Sequence, residues 1–417
     1  MKCLQLLLAA SVLASATPQK RANCKDIRDA PITRDGPTLL LNGKPWKAVG
    51  PNVYWLGLDE NVTPPPGEPY YAPLKASYPT KGRITEAMAV VKAMGGTSIR
   101  AHTLGVSTGN PLSVMPELGK VNEKAFETID WAVYQAREFG LRLMVPLTDN
   151  YDYYHGGKYN FLRWAGFNLT QAKDANNPQI QQFYTDQTIV ASFKDYIEKL
   201  VTHVNPYTNL TYAEDPTIWA YETGNELLGP VWGDMNCPAT WVADVGKFVK
   251  TVAPNKLFVD GTYGVNKEHL GIQEVDVFSN HYYPASLQKL RSDLDLVASV
   301  NKPYFAGEYD WNLPAVGADP LPAWFKELET SKYVAGDAFW SQFGRNIPNC
   351  NEFVQHADGF TLHYGDPANS ATVDSRVKLI RKHFIKESQG VDIAADAELP
   401  VVPCPVPAPG AKGEGLT

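Results

Sequence analysis

Two apolar runs in this chain end in a carboxylate. WAYETGNELLG, residues 219–229, begins as a buried strand would and then delivers Asn225 and Glu226; PYFAGEYDW, residues 303–311, does the same with Glu308. The two glutamates lie 82 residues apart, or three βα units of ~27 residues, close to the ~31 that an eight-unit barrel averages. Hydrolysis of a glycosidic bond with retention of configuration needs such a pair ~5–5.5 Å apart, one to attack and one to protonate the leaving oxygen and then act as base. A single carboxylate cannot do both. Proximity also sets the roles, because one ionised member holds the proton of the other and raises its pKa. Taken singly, a glutamate at a strand end is an ion-pair partner or a helix cap; two at matched positions point to chemistry.

The elements that must position them are readable. Eight short apolar, β-branched or aromatic runs have the character of strands buried on both faces: residues 47–55, 96–102, 141–147, 217–226, 256–260, 275–281, 303–308 and 334–340. Amphipathic segments lie between them. In residues 122–140, Phe126, Ile129, Val133 and Ala136 recur at helical spacing and Gly140 stands where the helix should end. Phe193, Ile197, Leu200 and Val204 repeat that stripe, and residues 84–94 and 377–384 supply two further helices. Strict alternation predicts right-handed crossovers and a parallel sheet. Eight units predict an α/β fold, a closed (β/α)8 TIM barrel, as a single catalytic domain over residues 22–395. An open doubly wound sheet is the alternative, but no glycine-rich phosphate turn follows the first strand. Glu226 and Glu308 then stand at the C-terminal mouth, on strands four and seven. The long connections 56–82 and 150–177 open on that same face, whereas residues 37–45, around Asn42-Gly43, predict a hairpin over the opposite end.

Residues 1–16 join Lys2, an apolar run and Ala14-Ser15-Ala16 in the pattern of a secretory signal peptide. The apolar run is shorter than the ~20 residues a membrane span needs. Lys20-Arg21 makes 17–21 a candidate propeptide, and a secreted, extracellular protein without membrane attachment is expected. Cys24, Cys237, Cys350 and Cys404 would remain, an even number suited to disulfides. Three pairings are open; termini lying close together favour Cys24 with Cys404, and hence Cys237 with Cys350. Zinc is the other use of cysteine, but no two of these residues sit within metal-ligand spacing. Sequons begin at Asn61, Asn168 and Asn209. A net charge of −7 without a Lys/Arg cluster argues against a nucleic-acid partner. The 10 Trp and 21 Tyr exceed what a core readily uses and suit sugar stacking. The proline-rich tail, 396–417, is expected to be extended.

The phrases SIR (98–100), the strand-four run to Glu226, SNHYYP (279–284), FAGE (305–308), AFW (338–340) and the opening GPNVYWL (50–56) together resemble glycoside hydrolase family 5. The likeness runs from about residue 36 to residue 383 and is greatest to fungal endo-β-1,4-mannanases, through GPNVYWL, the strand-four phrase and DNYDYYHGG (149–157). It implies retaining enzymes on a (β/α)8 barrel, with Glu226 as acid/base and Glu308 as nucleophile. It further implies that Asn225 bonds the sugar 2-hydroxyl, Arg100 holds Glu308 ionised, Tyr283 orients it, and His281 and Trp340 line and floor the same subsite. His102 near the 2-hydroxyl and Tyr151, crowded with Tyr153 and Tyr154 into one loop, complete the candidate substrate-binding set. Trp55, Trp232 and Trp311 are platforms or simple packing.

Leu227 stands where the family commonly has proline, and Ala101-His102 where it has a more apolar or aromatic pair; both leave substrate preference open. His102, His155 and His281 lie on different units without a short-range ligand pair, so no metal or cofactor is expected. The expected function is cleavage of β-1,4-mannosidic bonds in mannan, glucomannan or galactomannan by a monomer. A β-1,4-glucanase, an exo-acting β-mannosidase and a non-catalytic carbohydrate-binding barrel are the alternatives.

Overall fold

The computed structural model describes residues 27–60, 76–228, 236–312, 317–356 and 358–404. The segments expected as signal peptide and propeptide, Cys24, the Asn61 sequon, Trp232 and residues 405–417 lie outside that set. Eight strands form one sheet: β1 (Ala48–Pro51), β2 (Ser98–Arg100), β3 (Arg142–Pro146), β4 (Ile218–Glu222), β5 (Leu257–Asp260), β6 (Val277–Tyr282), β7 (Tyr304–Tyr309) and β8 (Val334–Phe339). From β2 to β8 each strand pairs in parallel with the next, and β8 pairs in parallel with β1. The ring closes between β1 and β2 through a parallel bridge of Asn52 with Arg100, with Thr97 N–H donating to Val49 O at 2.8 Å and Val53 N–H to Arg100 O at 3.0 Å. Gly50 permits that seam, since a Cβ there would stand 1.8 Å from Ser98 O. All eight expected strands are present, and the fold is the (β/α)8 barrel.

Among the described residues seven long helices surround it: α1 (Lys81–Ala93), α2 (Glu123–Phe139), α3 (Gln187–Thr202), α4 (Ala239–Val252), α5 (Leu287–Ala298), α6 (Leu321–Thr330) and α7 (Ala371–Gln389). Their ends follow from local chemistry. Gly140 terminates α2 in the left-handed conformation, φ 69°, and the Asp186 carboxylate caps α3 by accepting from the N–H groups of Thr188 and Ile189. Strict alternation fails once. Between β5 and β6 the chain makes only a 3-10 turn, Lys267–His269, because this short, glycine-containing link has no apolar stripe to bury. The 150–177 connection is also less loop-like than expected, with short helices Lys158–Trp164 and Gln171–Asp174.

The expected hairpin is the last part of a three-stranded antiparallel sheet, Ile32–Asp35, Thr38–Leu41 and Lys44–Pro45, turned at Asn42 and Gly43 with positive φ. Its Ile32 and Leu39 join Ala48, Met144, Trp219, Val259, Val277 and Phe305 in a buried cluster, so it plugs the end of the barrel opposite the glutamates. The larger cluster lies between strands and helices.

The disulfide expectation is corrected. Cys350 bonds Cys404, which excludes both Cys24–Cys404 and Cys237–Cys350; Cys237 is buried. The reason is that the described part of the tail folds back onto the segment after β8, where Tyr364 Oη donates to Pro400 O at 2.8 Å and Arg345 to Val402 O at 2.8 Å. No helix among the described residues is long and apolar enough to cross a membrane.

Candidate active site

Glu308 lies within β7 and is 5% exposed. Glu226 does not end a strand as expected: the β4 ladder stops at Glu222, and pairing continues only through single bridges of Asn225 with Asp149 and Leu227 with Thr262. The backbone turns here, with Glu226 at φ 50° and Leu228 at φ 65°, sparsely populated values for such residues. Leu227 sits fully buried between them, its N–H donating to Gly261 O at 3.2 Å and its carbonyl accepting from Tyr263 N–H at 2.7 Å. A proline could not make the first bond, so the leucine both anchors the turn by packing and ties it to the strand-five edge.

The turn brings the carboxyls together. One ligand-type atom from each of Glu226, His281 and Glu308 lies within 4.8 Å of the others. Arg100 donates to Glu308 Oε1 at 2.7 Å, to Glu222 Oε2 at 2.8 Å, to Asn225 Oδ1 at 3.0 Å and to Asn52 Oδ1 at 3.1 Å. Tyr283 Oη donates to Glu308 Oε2 at 2.8 Å. Glu226 is met by the Tyr151 hydroxyl and, at 2.7 Å, by His281 Nδ1, which is 3.5 Å from Glu308. Asn225 Nδ2 donates to Asp149 Oδ1 at 3.3 Å, and Asp149 is 3.0 Å from His155. His102 Nε2 lies 3.1 Å from Arg100 and 3.7 Å from Glu308. Trp340 donates from its indole to Asp358 at 2.7 Å, and Tyr54 stacks against it at 5.1 Å and 6°.

These groups surround a cavity of about 390 Å³ lined by Tyr54, Glu60, Tyr151, Tyr153, Tyr154, His155, Asn225, Glu226, Tyr263, Tyr283, Glu308, Trp340, Asp358 and Phe360. Six of the nine candidate residues line this cavity, and the other three, Arg100, His102 and His281, reach its carboxyls from outside the lining. Trp55 and Trp311 are packing residues, 0% and 2% exposed, with their indoles bonded to Gln342 O and Phe360 O. Sequence reasoning missed Asn52, Glu222 and Asp149, which hold Arg100 and Asn225. It also missed Glu60, Asp358 and Phe360. Asn52 and Glu222 lie inside the very phrases that stood out; the segment carrying Asp358 and Phe360 offers no such signal.

Burial dominates the electrostatics. It lifts Glu308 well above the usual carboxylate range, against the pull of Arg100, and the charge of Glu226 lifts it further. Burial acts on Glu226 too, but the bonds from His281 and Tyr151 outweigh it and hold that carboxyl below its ordinary value. The two carboxyls are coupled and titrate as a unit, with Glu308 the member that holds a proton more readily. His281 is pushed down to about 4 by burial, despite Glu226, and is neutral. His102 is lowered well below its usual range by burial and by Arg100. The fixed positive charge is the guanidinium of Arg100, which Glu222 and Glu308 keep protonated against its burial.

Barrel and cavity together define an α/β barrel protein with two facing glutamates at its C-terminal mouth, a class in which the loops over the strand ends carry the site. The chain belongs to the GH family 5 beta-mannosidase-like family, whose profile matches residues 31–288. That match includes Arg100, Asn225, Glu226, His281 and Tyr283 and stops before Glu308 and Trp340. The mannan endo-1,4-beta-mannosidase 8 of Oryza sativa subsp. japonica is 29% identical over 252 residues, 59% of this chain and 61% of the relative. The mannan endo-1,4-beta-mannosidase 1 of the same organism is 22% identical over 86% of this chain and 88% of its own length. The chain thus spans about three-fifths or less of the first three curated relatives it matches. Among solved structures, the endo-1,4-beta-mannanase from Rhizomucor miehei superposes with a TM-score of 0.66 at 20% identity, over 86% of this chain and 100% of that one. At that identity the likeness establishes the barrel.

Proposed function

We propose that the protein is a secreted, monomeric, retaining glycoside hydrolase that cleaves internal β-1,4-mannosidic bonds of mannan, glucomannan or galactomannan. The observation that carries the reading is the approach of the two carboxyls within 4.8 Å, near the ~5–5.5 Å of retaining sites and short of the ~6.5–9.5 Å that inversion needs. The substrate class is taken from the relatives, the export from residues 1–16, and the monomer from a site built wholly by one chain.

In the first step a Glu308 oxygen attacks the anomeric carbon, the glycosidic bond breaks, and Glu226 gives its proton to the departing oxygen, leaving a glycosyl ester on Glu308. In the second, Glu226 takes a proton from water, the water oxygen attacks the anomeric carbon, and the ester bond to Glu308 breaks with net retention. Asn225, fixed between Arg100 and Asp149, presents its amide to the 2-hydroxyl. Attack requires the proton on Glu226, the reverse of the direction in which burial pushes Glu308 up and the bonds from His281 and Tyr151 pull Glu226 down. His281 Nδ1 lies 2.7 Å from Glu226 and 3.5 Å from Glu308, in contact with both carboxyls between which that proton must move.

The test is to offer galactomannan, glucomannan, cellulose and xylan in parallel to the wild type and to Glu308→Ala, measuring reducing sugar and the size of the earliest products. Long oligosaccharides from the mannans, with release lost by ~10³-fold or more in the variant, are expected. Equal release by both proteins removes Glu308 as nucleophile. Only mono- or disaccharide products point to exo action, preference for cellulose to a glucanase, and no release from any polymer to a binding barrel.

A further inference from the structure

Far from the cavity, the hairpin Val204–Asn205 with Leu210–Thr211 turns through residues 206–209 against α2. Asn205 Nδ2 fastens it by donating to Asp130 O at 3.0 Å. Asn209 closes the turn at φ 56°, its N–H on Asn205 O at 2.8 Å, a left-handed conformation asparagine tolerates. It is exposed, and it opens the sequon Asn209-Leu210-Thr211.

Two residues earlier stands Tyr207, 41% exposed. Its ring is held in place on all the sides that touch protein. It stacks on Tyr134 of α2 at 5.1 Å and 16°, meets Trp131 at 5.4 Å and 71°, and accepts a hydrogen bond from Lys81 Nζ at its hydroxyl, 3.0 Å. An aromatic residue that the neighbouring packing has already ordered, yet which keeps two-fifths of its surface in water, is a platform for an apolar face. The other two sequons lack one: the residue two before Asn61 is Asp59, and two before Asn168 it is Gly166.

We propose that Asn209 carries an N-linked glycan whose first N-acetylglucosamine lies against Tyr207. The proposal rests on the export reading above. The Asn209 amide nitrogen loses a proton and bonds C1 of the sugar of a lipid-pyrophosphate-linked oligosaccharide, from which the lipid pyrophosphate departs. Two residues of chain keep the Cα atoms within ~7 Å, so the first sugar starts beside the ring. The C–H face of the sugar then covers apolar ring surface, and because the ring is already fixed, little further freedom is lost in the contact. The glycan would cover the Trp131–Tyr134–Tyr207 cluster and clamp the hairpin that leads into β4.

The experiment expresses the full chain in a secreting eukaryotic host, maps occupancy at each sequon by glycopeptide mass spectrometry, and measures Tm for Tyr207→Ala and Tyr207→Phe, each with Asn209 intact or replaced by Gln. Occupied Asn209 is expected, with Tyr207→Ala lowering Tm by about 2 °C or more beyond its effect in the Asn209→Gln background, and Tyr207→Phe restoring the difference. Glycan at Asn168 with none at Asn209 overturns the proposal alone, as does an equal Tyr207→Ala effect in both backgrounds. Protein retained in the cell with all three sequons bare overturns the export reading and the proposal with it.

Discussion

Glu226 owes its charge state to two neighbours on other elements, the hydroxyl of Tyr151 and the imidazole of His281. A bond donated to the ionised form lowers a carboxyl pKa, so removing the Tyr151 hydroxyl must raise that of Glu226. In the proposed mechanism Glu226 is the acid of the first step and must hold a proton, and the alkaline limb of the activity profile reports the loss of the proton that the coupled pair holds. Tyr151→Phe is therefore expected to move that limb of kcat/KM to higher pH by roughly half a unit to one unit. A profile shifted downward, or unmoved with a full loss of rate, would assign Tyr151 to substrate contact alone. At this scale the sequence was informative because the glutamates, Arg100, Asn225 and Tyr283 are unusual at the ends of apolar runs. Glu222, Asn52 and Asp149 are equally close to the chemistry. They lie inside phrases that stood out, but their role does not show there, since it is to partner Arg100 and Asn225 across 48 to 122 positions of sequence.

Positions of whole elements were legible where burial is two-sided. The eight strands stand out because each must be apolar on both faces of the sheet, and α2 and α3 because their stripes and caps agree. The turn after β4 was not legible: its conformation depends on Leu227 bonding to residues of the β5 edge, a tertiary contact without a sequence period. The same dependence makes Gly307 critical. It precedes Glu308 in β7, and a Cβ there would stand 2.6 Å from Ser279 Oγ and 2.9 Å from His281 Nε2. Alanine must push β6 and β7 apart or displace the imidazole from between the carboxyls. Gly307→Ala is expected to lower kcat by about 10²-fold, the scale of a 1 Å misplacement, and to cost about 1–3 kcal/mol of stability as an overpacked site. Steady-state kinetics beside urea unfolding checks both; unchanged kcat with reduced stability would sever the imidazole from catalysis.

The last helix, α7, packs on β1 and α6, and a buried histidine is one of its links to the barrel. His383 Nδ1 lies 2.9 Å from Glu329 of α6 and Nε2 2.9 Å from Asp337 of β8, with the ring stacked on Phe325 at 4.4 Å. Burial opposes its charge, but Asp337 and then Glu329 prevail and raise the pKa to about 9. A folded-state pKa above the unfolded ~6.5 means stability that is fully present below ~6.5 and lost as pH rises through about 9, amounting to about 3 kcal/mol. The sequence placed the helix but could not show this link, because the three charged residues belong to separate elements. The total stability of the wild type would hide the effect, since buried Lys256, lowered to about 7 by desolvation, gains stability over an overlapping range as pH rises. The informative quantity is the difference between wild type and His383→Gln in urea unfolding. That difference should shrink by about 3 kcal/mol between pH 6 and pH 9.5 as the imidazolium of the wild type loses its proton. A difference that stays constant across this range would mean that His383 holds α7 by packing and neutral hydrogen bonds rather than by charge.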